Sequence, residues 1–223
     1  MEAGRVVDSY AGYRARLVER LREQGIRDLA VLRAFAETPR HRFVPEALWE
    51  RAYEDAALPI GRGQTISRPL THATYLEALS LKGRERVLEV GTGSGYQAAL
   101  LGHLAAQVFT IERFTQLANR AREALAGAGA RNVTVLSGDG SLGWRPYAPY
   151  DAILVSAAAP KVPRPLLEQL ADGGRLLIPL GSAEVQELIR ITRRGTAFDE
   201  ERLATASFVP LLGRHGASDV PPC

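Results

Sequence analysis

Five short apolar runs, separated by stretches with helical spacing, constrain the fold of this chain more than any other feature. The runs are "RVLEV" at 86–90, "QVFTI" at 107–111, "NVTVL" at 132–136, "YDAILVS" at 150–156 and "GGRLLIP" at 173–179. Short apolar runs that alternate with helices are typical of βαβ units, and therefore of a parallel sheet covered on both faces. We predict a Rossmann-like α/β fold of three layers.

The segments between the runs predict the helices of this sheet. We expect helices from about Gly95 to Ala105, from Phe114 to about Gly127 and around Pro165 to Leu170. After Gly181, "VQELIRITRRG" and "RLATASFVPLL" alternate apolar and polar residues around a polar turn. This alternation predicts an antiparallel hairpin at the end of the sheet.

The N-terminal part of the chain is helical in pattern. Leu17 and Leu21 recur at helical spacing before Gly25, Asp28 can cap a second helix, and Pro45 can open a third. We therefore divide the chain into a helical cap with a loop at 1–69, an α/β domain with its C-terminal hairpin at 70–215, and a tail at 216–223.

Composition and patterning favour a folded protein without a membrane span. The hydrophobic fraction is 46% and the charged fraction 24%, as in ordinary globular chains. The longest apolar stretch falls short of the roughly 18 residues that a membrane helix needs. The start of the chain has no apolar signal region, so we expect a cytoplasmic protein without a membrane partner.

Metal and nucleic-acid chemistry are not expected from this sequence. Cys223 is the only cysteine, and the four histidines lack the spacing of paired metal ligands. The net charge is only +3, and the basic residues are scattered rather than clustered. We therefore expect no bound metal and no nucleic-acid partner.

The turn after the first apolar run, within "VLEVGTGSGYQAALL", gives the strongest indication of a ligand site. Gly91, Gly93 and Gly95 lie directly between a predicted strand and a predicted helix. In open α/β sheets ligands bind beyond the carboxyl ends of the strands, and glycines let a ligand approach the backbone closely. The helix N-terminus adds unpaired N–H groups and a partial positive charge.

Three acidic residues near this turn favour a nucleoside that carries a cation. The spacing is G-x-G-x-G rather than the dinucleotide pattern, and Glu89 before it would suit the ammonium group of S-adenosyl-L-methionine. Glu112 ends the second strand, where it can bind both ribose hydroxyls. Asp139, followed by Gly140, comes after the third strand and can accept from an adenine amino group. Glu112 or Asp139 alone would more often be a helix cap or a turn former.

Residues 61–72, "GRGQTISRPLTH", interrupt two apolar segments with glycine and proline. Such a stretch predicts an ordered loop that leads into a helix near Leu70. The apolar residues of this helix recur at helical spacing. Ordered loops of this kind usually lie over a functional site.

Together these segments resemble the protein-L-isoaspartate (D-aspartate) O-methyltransferases. The resemblance runs from "PRHRFVP" at 39–45 to "FVPLLG" at 208–213, and includes "LPIGRGQTIS", the glycine turn, "GDGSLGW" and "APYDAILVSAAAP" in the family's order. It implies S-adenosyl-L-methionine as methyl donor, S-adenosyl-L-homocysteine as product, and isoaspartyl peptides and proteins as acceptors.

The resemblance also implies roles for particular residues. The loop matching 64–67 closes over the donor with Thr65 and Ile66, and Ser67 is the active-site residue. His72 matches a position that contacts the donor. Val209 and Leu211 supply backbone that holds the peptide substrate.

Several alternatives stay open at this stage. The first alternative is another class I methyltransferase that acts on RNA or a small molecule, although "SAAAP" stands after the fourth strand where an N6-adenine enzyme would carry [DN]-P-P-[YFW]. A nicotinamide-dependent dehydrogenase is disfavoured by the glycine spacing and Glu89. A nucleoside-binding module without catalysis is a third alternative. We expect a monomer, and activity on D-aspartyl residues is left open.

Overall fold

The computed structural model describes residues 9–182 and 184–217. Within these ranges the α-helices, in chain order, are α1 (Ala11–Glu23), α2 (Leu29–Glu37), α3 (Pro69–Leu79), α4 (Tyr96–Leu104), α5 (Thr115–Gly127) and α6 (Arg164–Glu168). The strands are β1 (Leu58–Gly61), β2 (Gln64–Ile66), β3 (Arg86–Val90), β4 (Gln107–Glu112), β5 (Val133–Ser137), β6 (Tyr150–Val155), β7 (Leu170–Gly181), β8 (Gln186–Arg194) and β9 (Ala197–Ala206).

The main sheet has the strand order β5-β4-β3-β6-β7-β8-β9. The pairs from β5 to β7 are parallel, whereas β8 and β9 run antiparallel to their neighbours. A separate hairpin is formed by β1 and β2. The predicted mostly parallel sheet, its antiparallel C-terminal end and the N-terminal helices are therefore confirmed.

Both faces of the sheet are buried, which explains why its strands read as continuous apolar runs. Val87 points into one hydrophobic cluster, and Leu88 and Val90 point into the other. Burying a side chain of this size stabilises the fold by about 2 kcal/mol. The alternation along β3 therefore fixes its register between two layers of helices and loops.

The N-terminal helices share the first of these clusters with the α/β sheet. Leu17 and Phe35 are buried there, and the ring of Phe35 packs at 6.0 Å from that of Tyr96 at the start of α4. The Asp28 carboxylate caps α2 by accepting from the N–H groups of Ala30 and Val31 at 2.8 and 3.2 Å. The N-terminal helical segment therefore packs as part of the hydrophobic core. The division of the chain at residue 69 stays a prediction.

Three local predictions differ from the structure. The segment after Pro45 forms a 3-10 helix (Glu46–Arg51) instead of an α-helix. Residues 61–68 are not a plain loop, since they contain β2, whereas α3 begins at Pro69, next to the predicted start at Leu70. The last strand covers Ala197–Ala206 rather than 202–212, because Gly195, at φ +61°, allows β9 to begin directly after a tight turn.

The residues that follow β9 leave the hairpin. The side chain of Gln186 bonds both the N–H and the carbonyl of Phe208, at 2.7 and 3.0 Å, which ends the pairing with β8. Pro210 then lies beside Ala158 in an isolated parallel bridge. The chain is thereby turned toward the carboxyl ends of the parallel strands.

Candidate active site

A cleft that opens to solvent lies at the carboxyl ends of β3, β4 and β6. From β3 the chain proceeds outward through β4 to β5 and then crosses to β6 on the other side of β3. This reversal leaves a crevice beyond β3, which is the usual ligand position in open α/β sheets.

The floor of the cleft is the glycine turn between β3 and α4. Gly91, Gly93 and Gly95 have φ of +95°, +54° and +86°, a region in which other residues are strained. A Cβ on Gly95 would lie 3.2 Å from Ala121 and 3.3 Å from Leu125 of α5, so only glycine lets this helix pack against the turn.

Glu112, the last residue of β4, is held against the glycine turn. Its two oxygens accept from the N–H groups of Gly93 at 2.8 Å and Phe114 at 2.9 Å. The side chain is almost fully buried, and this burial raises the pKa of the Glu112 carboxyl. Each oxygen accepts one of these N–H groups and keeps a lone pair for a further donor.

Glu89 lies in the floor of the cleft and is fully buried. Its Oε2 accepts from the hydroxyl of Thr110 at 2.5 Å, whereas its Oε1 has no partner among the described residues. Burial, together with the nearby charge of Glu112, raises the pKa of Glu89 to about 8. A cation beside Glu89 would offset the cost of burying its negative charge.

The hairpin of β1 and β2 forms the roof, and the cleft is lined by Gln64, Thr65, Ile66 and Ser67. Arg40, which is fully buried, donates to the carbonyl oxygens of Ala52 and Ser67 at 2.7 and 2.8 Å. The Asp55 carboxylate pairs with Arg68 at 2.6 Å and accepts from the N–H of Leu70 at 3.2 Å. The end of the roof is therefore fixed from both sides.

His72 lies on the first turns of α3 and faces the cleft. Its Nδ1 bonds the side-chain oxygen of Gln97, and its Nε2 is buried without a partner in the described part of the chain. Burial, with the positive charge of Arg40, lowers the pKa of His72 to about 3. The imidazole is therefore neutral at physiological pH, with Nδ1 as donor and Nε2 as acceptor.

The segment after β9 forms the remaining wall, with Val209, Pro210, Leu211 and Leu212 lining the cleft. Ala158, which follows β6, donates its N–H to the Val209 carbonyl at 2.8 Å, and its carbonyl accepts from the N–H of Leu211 at 2.7 Å. These two bonds dock the segment beside β6.

Asp139 is placed differently from the other predicted residues, because it does not line the cleft although Gly140 beside it does. Its Oδ1 accepts from the N–H and hydroxyl of Ser141, and its Oδ2 accepts from the N–H of Arg214 at 2.8 Å. Partial burial acts against ionisation, but these hydrogen bonds keep the pKa of Asp139 below its ordinary value. Asp139 therefore ties the segment after Leu212 to the end of β5.

The structure thus brings most of the predicted site residues to one cleft. The predicted residues that line it are Thr65, Ile66, Ser67, His72, Glu89, Gly91, Gly93, Glu112, Gly140, Val209 and Leu211. Gly95 packs against α5 and Asp139 faces the C-terminal segment. The individual roles of all these residues stay predictions.

Sequence reasoning gave no role to five polar residues that line the cleft: Thr92, Ser94, Gln97, Arg113 and Ser156. It also missed Arg40, which supports the roof without lining the cleft. Arg40 lies within "PRHRFVP", and Ser156 ends the run "YDAILVS" at the carboxyl end of a predicted strand, so a polar residue in that position was a usable signal. Gln97 follows the glycine turn on α4 and carries no comparable signal.

Within the described ranges, no helix is both long enough and apolar enough to cross a membrane. The same residues contain no group of three or more histidine, cysteine, aspartate or glutamate side chains placed to hold a metal ion.

The strand order, the glycine turn and the carboxylate at the end of β4 define a protein of the class I methyltransferase type. The model of one family of that class, protein-L-isoaspartate(D-aspartate) O-methyltransferase (PCMT), matches residues 13–216. The chain belongs to this family.

Curated relatives and solved structures agree with this assignment. A protein-L-isoaspartate O-methyltransferase of Dictyoglomus thermophilum is 49% identical over 94% of this chain and 96% of its own. One from Halorhodospira halophila is 55% identical over 89% of this chain and 91% of its own. A Plasmodium falciparum structure, described as a PCMT in complex with S-adenosyl-L-homocysteine, has a TM-score of 0.80 and 27% identity over 90% of this chain and 98% of its own.

Proposed function

We propose that this chain transfers a methyl group from S-adenosyl-L-methionine to the free α-carboxylate of L-isoaspartyl residues in damaged peptides and proteins. One observation carries the proposal. Four polar atoms around the cleft are buried without a partner in the described ranges: His72 Nε2, Glu89 Oε1, Gln97 Nε2 and Ser156 Oγ. Buried polar atoms are normally hydrogen-bonded, so four of them around one cleft favour a polar ligand there.

The residues present fit this donor. Glu112 keeps lone pairs that would accept the two ribose hydroxyls, and the free Oε1 of Glu89 would accept from the donor's ammonium group. Gly140 and the end of β5 would border the adenine. The two buried carboxylates would also favour a ligand with positive charge over a pyrophosphate.

When bound, S-adenosyl-L-methionine supplies a methyl group activated by a sulfonium, whose carbon–sulfur bond breaks as the bond to the acceptor oxygen forms. The electron pair remains on sulfur, so the products are a neutral thioether and a methyl ester. The acceptor carboxyl has an ordinary pKa of about 3 to 4 and is already ionised near neutral pH. The protein therefore needs no strong base, and its residues act by holding and aligning the reactants.

The roof and the C-terminal segment would supply this alignment. Ser67 can donate its hydroxyl to the acceptor carboxylate, and its position is set by the bond from Arg40 to its carbonyl. The carbonyl oxygens of Val209 and Leu211 already accept from the N–H groups of Ala158 and Ala217, and each would offer its second lone pair to an extended peptide. Such contacts favour recognition of the peptide backbone over particular side chains. Closure of the roof would exclude water that otherwise solvates the carboxylate.

The methyl ester would then close spontaneously to a succinimide, whose hydrolysis regenerates some normal aspartate. The same proposal includes D-aspartyl residues as a further acceptor. Their α-carbon has the opposite configuration, so the carboxylate would approach the donor from a different direction.

The proposal is tested with labelled donor and two peptides that differ only in an aspartyl or isoaspartyl linkage. We expect base-labile methyl ester on the isoaspartyl peptide and none on its twin. Methylation of RNA or of small molecules, with neither peptide modified, would overturn the proposal. S-adenosyl-L-homocysteine binding without any methyl transfer would instead support a nucleoside-binding module without catalysis.

A further inference from the structure

We infer that the hydroxyl of Ser156 contacts the acceptor carboxylate and acts beside Ser67 as a second catalytic hydroxyl. The inference rests on the proposed function, because it concerns the same acceptor. It assigns a role to a residue that neither the glycine turn nor the roof contains.

A second groove adjoins the cleft, between α3, the end of β2 and the segment after β9. Four residues line both the groove and the cleft: Thr65, Ser67, Ser156 and Val209. These residues mark the passage between a compartment suited to the donor and one long enough for a peptide. The methyl donor would lie in the cleft, and the peptide that carries the acceptor carboxylate would lie in the groove. The carboxylate therefore has to lie at this passage.

Ser156 is placed at the passage by the sheet. It follows β6 directly, and its N–H donates to the carbonyl of Val90 at 2.8 Å. A Cβ on Gly91 would lie 3.6 Å from the Cβ of Ser156, so the serine sits against the glycine turn. Ser67 reaches the passage from the roof, whereas Ser156 reaches it from the sheet.

The Ser156 hydroxyl is available to a ligand at this point. Its Oγ is buried and has no hydrogen-bond partner among the residues that the structure describes. Burying a hydroxyl without a partner is unfavourable, so a ligand that accepts from it recovers this free energy. The negatively charged group expected at the passage is the acceptor carboxylate.

Two hydroxyls from different sides suit the geometry of the reaction. One carboxylate oxygen forms the bond to the methyl carbon as the carbon–sulfur bond breaks, and no proton moves. Donors to the carboxylate fix the direction in which the attacking lone pair points. A hydroxyl carried by a rigid strand end holds this direction better than one carried by the roof alone.

The test compares Ser156→Ala, Ser156→Thr and a matched control, Ser137→Ala. Ser137 also ends a parallel strand, but its hydroxyl accepts from Arg122 at 3.1 Å and lines neither compartment. Single-turnover methyl transfer to the isoaspartyl peptide, and calorimetric binding of S-adenosyl-L-homocysteine, are measured for each. We expect Ser156→Ala to slow transfer about tenfold to 100-fold at unchanged Kd, Ser156→Thr to restore most of the rate, and Ser137→Ala to match the wild type.

Two results would overturn this role while leaving the proposed function in place. One is a wild-type rate for Ser156→Ala on the isoaspartyl peptide. The other is a loss of S-adenosyl-L-homocysteine affinity in Ser156→Ala as large as its loss of rate, which would make Ser156 a donor ligand. A wild-type protein that methylates neither peptide would overturn the proposed function itself, and the acceptor contact with it.

Discussion

The guanidinium of Arg40 donates a hydrogen bond from Nη2 to the backbone carbonyl of Ser67 at 2.8 Å. The same group donates from Nε to the carbonyl of Ala52 at 2.7 Å, and its side chain is fully buried over the ring of Tyr96. One planar cation thus joins the N-terminal helices to the residue proposed to aim the acceptor.

Replacing Arg40 with lysine is expected to impair both stability and turnover. A lysine ammonium cannot reproduce the fork that reaches two carbonyl groups at fixed angles. We expect Arg40→Lys to lower the free energy of unfolding by about 2 kcal/mol and to slow methyl transfer beyond what its folded fraction explains. Urea denaturation and single-turnover rates would measure the two effects.

Arg42→Lys is the matched control for this change. Arg42 is exposed and donates to the carbonyl of Gly127 at 3.1 Å. An equal loss of rate in both variants would argue against a specific link between Arg40 and Ser67.

Ser67→Ala is expected to separate chemistry from donor binding. The variant loses one hydroxyl donor to the acceptor carboxylate but keeps the backbone contact with Arg40. We expect turnover to fall about tenfold to 100-fold while calorimetric affinity for S-adenosyl-L-homocysteine stays within about twofold. Normal turnover combined with weakened product binding would contradict the role of Ser67.

Glu112→Gln is expected to weaken binding of the methyl donor and of its product. The amide group of glutamine would face one of the two N–H groups, of Gly93 or Phe114, which both donate to the carboxylate now. We expect affinity for S-adenosyl-L-homocysteine to fall at least about tenfold, as measured by calorimetry. An unchanged affinity would show that Glu112 supports the turn without contacting the ligand.

Asp139→Asn is expected to have a different signature, because Asp139 holds the N–H of Arg214 and the hydroxyl of Ser141. Loosening these contacts should release the segment that carries Leu211. We therefore expect the KM for the peptide to rise about tenfold, whether or not the affinity for the donor also falls. Steady-state kinetics with the peptide varied at saturating donor would measure this change. A change in donor affinity alone would favour the adenine contact predicted from sequence.

Donor affinity should depend on pH through Glu89. With a pKa of about 8, the carboxyl is mostly protonated at neutral pH, and a bound cation favours its ionised form. We expect affinity for S-adenosyl-L-homocysteine to rise between about pH 6 and 8, by at most about tenfold per unit, with release of a proton. Calorimetry in buffers of different ionisation enthalpy would detect this proton. Glu89→Gln should lose this pH dependence and the proton release. An identical pH dependence of affinity in Glu89→Gln and the wild type would refute the assignment to Glu89.

His72 should make the fold sensitive to acid. Its pKa is lowered from 6.5 to about 3 in the folded protein, so the unfolded chain binds more protons between these values. The stability that neutral His72 provides is complete above about pH 6.5 and is lost as the pH falls toward 3. We expect roughly 2 kcal/mol of this loss between about pH 6.5 and 5, measured by urea denaturation.

His72→Gln should flatten this part of the stability profile. The control is His103→Gln, because His103 is partly exposed and pairs with Glu37 at 3.3 Å. A profile equally flattened by either change would refute the assignment to His72.

Local patterns were enough to predict the sheet and the floor of the cleft, whereas the residues of the roof and His72 were placed by family resemblance. The glycine turn and Glu112 are set by neighbours in sequence and by strand ends, so their meeting follows from the parallel topology. Val209 and Leu211 were placed by family resemblance, since their pattern alone predicted strand where the structure has an irregular segment.

The remaining features depend on contacts between distant parts of the chain. Arg40 is separated by 27 residues from the carbonyl it holds, and no periodicity marks a charged residue for complete burial. Asp139 meets the N–H of Arg214 across 75 residues, which no local rule about turns anticipates. Gln186 ends the pairing of the last strand because its side chain bonds the backbone of Phe208, and strand propensity does not predict such a contact.

The wall formed by residues 209–212 bears on how the enzyme is made. All strands of the main sheet precede this wall in the order of synthesis, yet it borders both compartments. A nascent chain whose sheet has already folded on the ribosome therefore still lacks one side of each ligand site. We therefore expect methylation only from chains in which this segment has been synthesised and has docked beside Ala158.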